Sequence, residues 1–500
     1  MNTGFSENHK IMKILLIRPF NKESLTVVPP LGLGYLATSL RKNGFKVKIL
    51  DCVKEKVMPE DFTRILKRVK PNLVGITVFS SDLVVTKEYL GRAKNYDRKI
   101  ITVIGGPHPS AMPKECFDFY QSLLNFAFVG EAELGFPVLV KKLEKMKKLK
   151  AESLKIIPGL VWRKDGKIKV NKPQYPMDLD RLGFPSWDLI KPETYPHAPI
   201  GGFARRFPVA YILTSRSCPF QCTFCAAKAT HGLIFRRKSL NEVIKEVKYL
   251  TTKRGIREIH ILDDNFTLSN DFVKEFCQAK IKEKLDFSWN CSNGIRLDRI
   301  DEEALILMKK AGCYSVAVGI ESGSDRILKH MKKNITKKYI KKQVDLIRKV
   351  GLEVTGLFIL GYPTETKRDI LQTISFAKSL NLTKAGFSIF GPLPGSEMWD
   401  YLIKEGRLDL SHLNNLSYYR TDSNYMKNVS QKDFRFLQKK AFFDFYLRPK
   451  IILTLIRETS SPNHLLALAR RIVYFLKLWF TPNPRIPNRR ALARKAARTL

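Results

Sequence analysis

Acidic residues are in short supply. The chain has 47 Asp and Glu against 88 Lys and Arg, a net charge of +41 over 500 residues. An imbalance of that size speaks to partners rather than fold. It leaves nucleic acid, an anionic lipid surface or an anionic substrate as candidates. The lysine enrichment of thermophiles normally brings glutamate with it, and glutamate is not comparably enriched here. Cysteine is sparse, with 8 residues and no recognisable signal peptide. That argues against a disulfide framework and for a reducing cytosol. No run offers about eighteen clean apolar residues, so no membrane span is expected. No repeat recurs at a fixed period. What is there is a chain of ordinary apolar content, 44%, long enough for two to four domains.

Three of the cysteines stand together. Cys218, Cys222 and Cys225 form C-x3-C-x2-C just after the β-like run 211–214. So short a stretch cannot place three sulfurs on one face of a regular helix or strand, but a loop can wrap them round a metal cluster. A four-iron cubane takes one thiolate per iron, so three thiolates leave one iron open to an outside ligand. A partial zinc site and three buried thiols are the other readings. Zinc usually recruits a fourth Cys or His at short spacing, and His231, six residues on, falls outside that pattern. Cys277, Cys291 and Cys313 lie in helix and strand patterns, and they, Cys52 and Cys116 read as small core residues.

Around the triplet the chain alternates. Apolar runs at 14–17, 47–51, 73–77, 100–106 and 126–131 read as buried parallel strands with helical patterns between them. An Asp-Gly hairpin follows at 159–170. Such alternation implies an open sheet with helices on both faces and ligands beyond the carboxyl ends of its strands. Gly105, Gly106 and Gly130 fall there, where backbone must approach a ligand closely. Residues 171–206 are Pro-rich and without periodicity and read as the interdomain linker, with 182–190 packing across the boundary. Strands then read at 210–214, 257–262, 286–291, 313–319, 352–360 and 384–390, with helices between. Six βα units suggest a partial, open barrel whose site gathers at the carboxyl ends of its strands. The expected fold is therefore α/β: a Rossmann-like domain over 1–175, a linker over 176–206, a partial (βα)6 barrel over 207–405 and a basic helical region over 406–500.

The wording of these segments is similar to that of the radical S-adenosylmethionine (SAM) superfamily, in its branch with an N-terminal cobalamin-binding domain. The triplet, with Phe224 before its third cysteine, carries the first part of the resemblance. Gly-Ile-Glu-Ser-Gly-Ser at 319–324, Gly-Tyr-Pro-Thr-Glu at 361–365 and Pro-Leu-Pro-Gly-Ser at 392–396 extend it. Pro-Pro-Leu-Gly-Leu-Gly-Tyr-Leu-Ala at 29–37, Gly-Gly-Pro-His-Pro-Ser at 105–110 and Val-Gly-Glu-Ala-Glu at 129–133 carry the second part. The resemblance implies a [4Fe-4S] cluster on Cys218, Cys222 and Cys225. It implies SAM against Phe224, Asp263, Asp264, Ser292, Arg296, Glu321, Gly361 and Pro363, with Glu365 capping the helix that follows. It implies cobalamin against Pro30, Gly32, Gly105, Gly106, His108, Gly130 and Glu131. Asp263 and Asp264 stand where many members have Gly-Gly-Glu. No D-x-H-x-x-G loop precedes the triplet, so cobalt lacks that lower histidine ligand, and His108 reads as a loop or corrin contact. Two cysteines in the first domain cannot hold the second cluster of methylthiotransferases.

The resemblance implies methylation of an unactivated carbon: a 5′-deoxyadenosyl radical takes a substrate hydrogen and methylcobalamin supplies the methyl group. An electron donor such as flavodoxin or ferredoxin is implied with it. Ring formation or oxidation, as in the anaerobic porphyrin-ester cyclase, and a non-catalytic cobalamin or SAM sensor stay open. The last stretch adds a different signal. Residues 446–500 hold twelve basic residues and one acidic. Apolar residues from Leu465 to Phe480 recur there at helical spacing. A basic amphipathic helix with Trp and Phe suits an anionic membrane interface, and hence a lipid or other apolar substrate for a cytoplasmic, peripherally bound protein. A helix docked on its own barrel is the plainer alternative. Nucleic acid is disfavoured, because the aromatic interleaving of a single-strand groove is missing.

Overall fold

Runs such as Ile-Leu-Leu-Ile and Leu-Val-Gly-Ile-Thr have no polar face, so they form strands covered on both sides. In the computed structural model, which describes residues 12–21, 27–145, 150–196, 204–408 and 424–458, they build a seven-stranded sheet. Its parallel part is β1 (Lys13–Arg18), β2 (Lys46–Asp51), β3 (Leu73–Thr77), β4 (Ile101–Gly105) and β5 (Phe126–Phe128). The hairpin β6 (Leu160–Lys164) and β7 (Lys167–Val170) continues it antiparallel, in the order β2-β1-β3-β4-β5-β6-β7. Alternation divides the core in two. Ile14 and Leu16 pack with Leu33, Leu40 and Phe136 on one face; Leu15 and Ile17 pack with Phe62, Leu66 and Leu90 on the other.

The second sheet starts at β8 (Val209–Ile212). A two-stranded antiparallel ribbon follows, β9 (Ser215–Arg216) with β10 (Arg236–Arg237). Then come β11 (Glu258–Ile261), β12 (Ser288–Ile295), β13 (Cys313–Glu321), β14 (Glu353–Leu360) and β15 (Lys384–Ile389). All six long strands are parallel, in the order β15-β14-β13-β12-β11-β8, so β8 and β15 are the edges of an open barrel. The barrel helices start where the sequence offers an oxygen: Ser239, Ser269, Asp301, Thr336, Thr366 and Ser396 each cap a helix. Trp289 meets Phe276 edge to face, and Phe387 meets Phe442 and Phe445 of the helix Gln431–Tyr446. Those residues face the helices, so their strand neighbours line the inner face of the barrel.

The stretch without periodicity before the barrel is packed. Leu179, Leu182, Trp187 and Ile190 enter the barrel core beside Leu31 and Tyr35. Ser186 N donates to Gly34 O, and Trp187 Nε1 donates to Glu246. The amphipathic run 465–480 and the basic end 489–495 lie outside the described residues. Among the described residues no helix is long and apolar enough to cross a membrane.

Candidate active site

The cysteine loop leaves β9 through Ser217, held at φ +74, a left-handed conformation that L-residues adopt at a cost. Ser217 Oγ donates to Gly232 O and Cys225 N to Cys222 O. Thr223, between the second and third cysteines, is tied three ways: its N donates to Met331 O, its O accepts from Met398 N, and its hydroxyl bonds Tyr362 OH at 2.7 Å. Tyr362 OH in turn meets His330 Nδ1 at 2.9 Å. The three cysteines are half-buried. Burial pushes the Cys225 thiol up to about 11 and raises Cys218 too, with the Asp264 carboxylate adding to both shifts. Such thiols ionise only when a cation offsets the burial, which iron supplies. Among the described residues no three Cys, His, Asp or Glu side chains converge on one ion. A cubane asks for something else, one thiolate for each of three irons, and the three loop thiols fit that.

The residues expected around SAM divide. Phe224 is half-buried on the far side of the loop, against the apolar layer that contains Tyr362 and Phe390. Asp263 is corrected. It is buried, and its two oxygens accept from Thr214 N and Oγ1 and from Ser215 Oγ at 2.5–2.7 Å. Burial pushes its pKa up to about 6 against those bonds. It holds the end of β8, and Asp264 is the carboxylate that faces the cysteines. Ser292 sits on β12 with its Oγ buried and unpartnered. Arg296 is also corrected: its guanidinium turns to Asp298, Lys333 O and Cys222 instead of an open ribose or carboxylate site. Glu321 ends β13 at φ +66 after a register shift, above Gly319. Its Oε1 accepts from Lys333 Nζ at 3.0 Å, a buried pair that sequence reading missed for want of any local signal. Gly361 turns at φ +82 and Pro363 follows it, buried, in the same turn. Glu365 does not cap the next helix, which Thr366 and Asp369 cap reciprocally. Its Oε2 instead accepts from Gly361 N and Tyr362 N and closes its own turn.

The other sheet brings its carboxyl edge to the same place. Ala111, beyond β4, Ala229, beyond the cysteine loop, and Gly395, beyond β15, meet so closely that a Cβ on Gly395 would lie 2.8 Å from Ala229 and 3.3 Å from Ala111. Pro30 opens the helix Leu31–Lys42, and a Cβ on Gly32 would meet open space. Gly106 turns at φ +102 and Gly105 precedes it. His108 is buried, bonds Ser80 Oγ through Nδ1 at 2.9 Å, and burial lowers its pKa to about 4. Phe79, beyond β3, is 50% exposed, an apolar face that sequence reading passed over. A Cβ on Gly106 would lie 2.8 Å from Thr77 Oγ1, so that glycine serves the turn, while the room above Gly32 and Gly105 and the exposed aromatic fit a flat macrocycle. Gly130, at φ +72, packs instead on Pro173 and Tyr175.

Glu131 is corrected as well. Its carboxylate accepts from Arg236 Nη1 and Nη2 at 2.9 and 2.7 Å, from Arg216 Nη1 at 2.9 Å, and pairs with His231 Nδ1 at 3.0 Å. Arg216 spends its other nitrogen on Glu133. Its partners lie 85 and 105 residues away, beyond any sequence pattern. Glu131 is thus a clamp that fixes the end of the first sheet against the ribbon that carries the cysteine loop.

Comparison with known proteins agrees with this arrangement. The family model described as Radical SAM superfamily matches residues 212–377, and that described as B12 binding domain matches residues 17–140. The chain is 34% identical over 484 residues to an uncharacterised methyltransferase of Pyrococcus horikoshii, covering 94% of this chain and 99% of that protein. It is 30% identical to the cytidylyl-2-hydroxyethylphosphonate methyltransferase of Streptomyces wedmorensis, covering 81% and 84%. Among solved structures it shares its fold with the cobalamin-dependent SAM radical enzyme OxsB with aqua-cobalamin and SAM bound. That match has a TM-score of 0.67 at 17% identity and covers 94% of this chain and 72% of the other.

Proposed function

From the premise that this chain belongs to the cobalamin-dependent radical SAM methyltransferases, with a [4Fe-4S] cluster, SAM and cobalamin as cofactors, we propose that it methylates an unactivated carbon. The substrate has an apolar body and lies on the inner face of the open barrel. The observation that carries this reading is the meeting of the two carboxyl edges at Ala111, Ala229 and Gly395. It leaves the barrel mouth facing the sheet edge of the first domain. When bound, the cluster supplies the electron that cleaves SAM and methylcobalamin supplies the methyl group.

The chain's own residues orient the reactants. Asp264, the remaining oxygen of Glu321 and the unpartnered Ser292 hydroxyl are the polar groups offered to SAM, with the Gly361–Pro363 turn alongside. Pro30, Gly32, Gly105, Gly106 and His108 form the edge offered to the corrin. On the inner face Leu357 and Ile359 give an apolar wall. Below them Tyr211, His260 and Asn290 stand side by side across β8, β11 and β12. The Tyr211 hydroxyl, His260 Nδ1 and Asn290 Oδ1 are buried there without a protein partner. A substrate with one polar end and an apolar body satisfies both parts, since unpaired buried polar groups are costly. A lipid is the class that the basic C-terminal region and the net charge favour, at an anionic membrane surface. A small acidic flavodoxin or ferredoxin suits the same charge as electron donor.

The test is anaerobic incubation of the loaded enzyme with methyl-labelled SAM, reductant and fractionated cell extract. Label in the lipid fraction supports the reading. Label only in water-soluble products rejects the apolar substrate. Ring-closed or oxidised product without label rejects methyl transfer.

A further inference from the structure

We propose that Arg296 and Asp298 act as an opposed pair of positioning residues that set the potential at which the cluster accepts its electron. The inference rests on the assignment of the cluster to Cys218, Cys222 and Cys225. Arg296 follows β12, and its side chain is 9% exposed. The guanidinium lies over the Phe220 ring, 3.7 Å from the centroid, in the outer part of the cysteine loop. Nε and Nη2 fork onto the two oxygens of Asp298, each at 3.0 Å. Nη2 also donates to Lys333 O at 2.9 Å. These contacts fix the plane, and they bring Nη1 to 3.8 Å from Cys222 Sγ. A buried cation needs partners, and here one of them is a cluster ligand.

The electrostatics give the pair opposite signs. Reduction adds one negative charge to the cluster and breaks no bond. A cationic donor at a ligand sulfur stabilises that added charge, because hydrogen bonds to the sulfurs and nearby charge tune the couple. Asp298 opposes it by neutralising the guanidinium. Removing Arg296 makes the cluster harder to reduce; removing the charge of Asp298 makes it easier. A merely structural role for the pair moves neither potential in opposed directions.

The experiment is an EPR-monitored redox titration of the full-length chain, reconstituted anaerobically with iron and sulfide, with iron content measured alongside. At the wild-type midpoint, Arg296→Gln should hold about tenfold less reduced relative to oxidised cluster, which for a one-electron couple is about 59 mV more negative. Arg296→Lys should fall between the two, and Asp298→Asn should shift the other way. Unchanged midpoints at normal iron content, or shifts of one sign in both variants, would overturn the inference. If Arg296→Gln holds no iron, Asp298→Asn decides alone: a positive shift supports the pair, and none or a negative one removes it. A wild-type chain that binds no iron rejects the cluster assignment itself, and the inference with it.

Discussion

Replacing Glu131 by alanine should loosen the join between the two sheets. The side chain is 3% exposed, those of Arg216 and Arg236 6% and 1%, so the three charges sit out of water. Burial alone would raise the carboxyl pKa. The bonds of His231 and Arg236 and the charges of both arginines override it and hold Glu131 well below the usual carboxylate range. Without the carboxylate, Arg216 keeps Glu133, but Arg236 keeps no anionic partner, only the carbonyls of Pro176, His231 and Ile234. Removing one partner of a buried pair costs about 3–5 kcal/mol, out of a total stability of about 5–15 kcal/mol. Denaturant unfolding of Glu131→Ala, Arg236→Met and the double variant should show the alanine change costing about 3 kcal/mol or more. The double variant should recover a good part of it, since no lone charge then remains buried. The pH leg has a definite sign. A depressed carboxylate stabilises above its unfolded pKa of 4.5 and loses that contribution as the pH falls, so the wild type should weaken more steeply in acid than the variant. A cost below about 1 kcal/mol with full loss of bound corrin would refute the clamp and restore Glu131 as a cofactor contact.

Two further outcomes follow from buried positions. Burial, against the amides of Tyr362 and Gly361, pushes the Glu365 pKa up from 4.5 to about 8, so the folded state keeps a proton that the unfolded state releases. The stability this provides is present below pH 4.5 and is lost as the pH rises to about 8, at roughly 1 kcal/mol per pH unit. In melting curves between pH 5 and 8, Glu365→Gln should lack that slope, and parallel profiles would contradict the assignment. Gly361→Ala should destabilise by about 1–3 kcal/mol or more, because the backbone is at φ +82 and the new Cβ would lie 2.4 Å from Phe434 Cζ. Calorimetry of that variant with and without Phe434→Leu separates the parts: the second change should relieve the clash and leave the backbone strain, and an unchanged melting temperature in Gly361→Ala would refute both.

Elements were legible where one local signal sufficed. The run at 73–77 is a central strand because its one polar residue, Thr77, is the last, so neither face has a polar stripe to expose. Ser239, Ser269 and Thr366 announce the helices they cap. The expected strand at 286–291 starts and ends late. β12 runs on to Ile295 through a register shift, and Ser292-Asn293-Gly294 had read as a loop because polar residues and glycine weaken a strand. The cysteine triplet was legible because its spacing is itself the chemistry. Asp263 and Asp264 could not be told apart in advance: adjacent and identical, one is taken by Thr214 and Ser215 and the other left facing the site. Glu131, Arg296 and Glu321 were picked out because the resemblance places cofactor contacts there. Their partners Arg236, Asp298 and Lys333 decide what they do; Arg236 is 105 residues away and Lys333 12, and no local pattern couples either to its carboxylate. The run 182–190 did show its packing, since Trp187 and Ile190 are apolar residues in an otherwise polar connection.

The most direct measurement is anaerobic reconstitution of the chain with iron, sulfide and hydroxocobalamin, followed by gel filtration, iron and corrin determination, and incubation with SAM and a strong reductant. The account predicts about four irons per chain and corrin bands that stay with the protein. It predicts 5′-deoxyadenosine release, and loss of iron and of that release in Cys218→Ser, Cys222→Ser and Cys225→Ser. A protein that keeps the cluster and cleaves SAM but retains no corrin would contradict the methyl-transfer reading. One that takes up no iron would contradict the account at its centre.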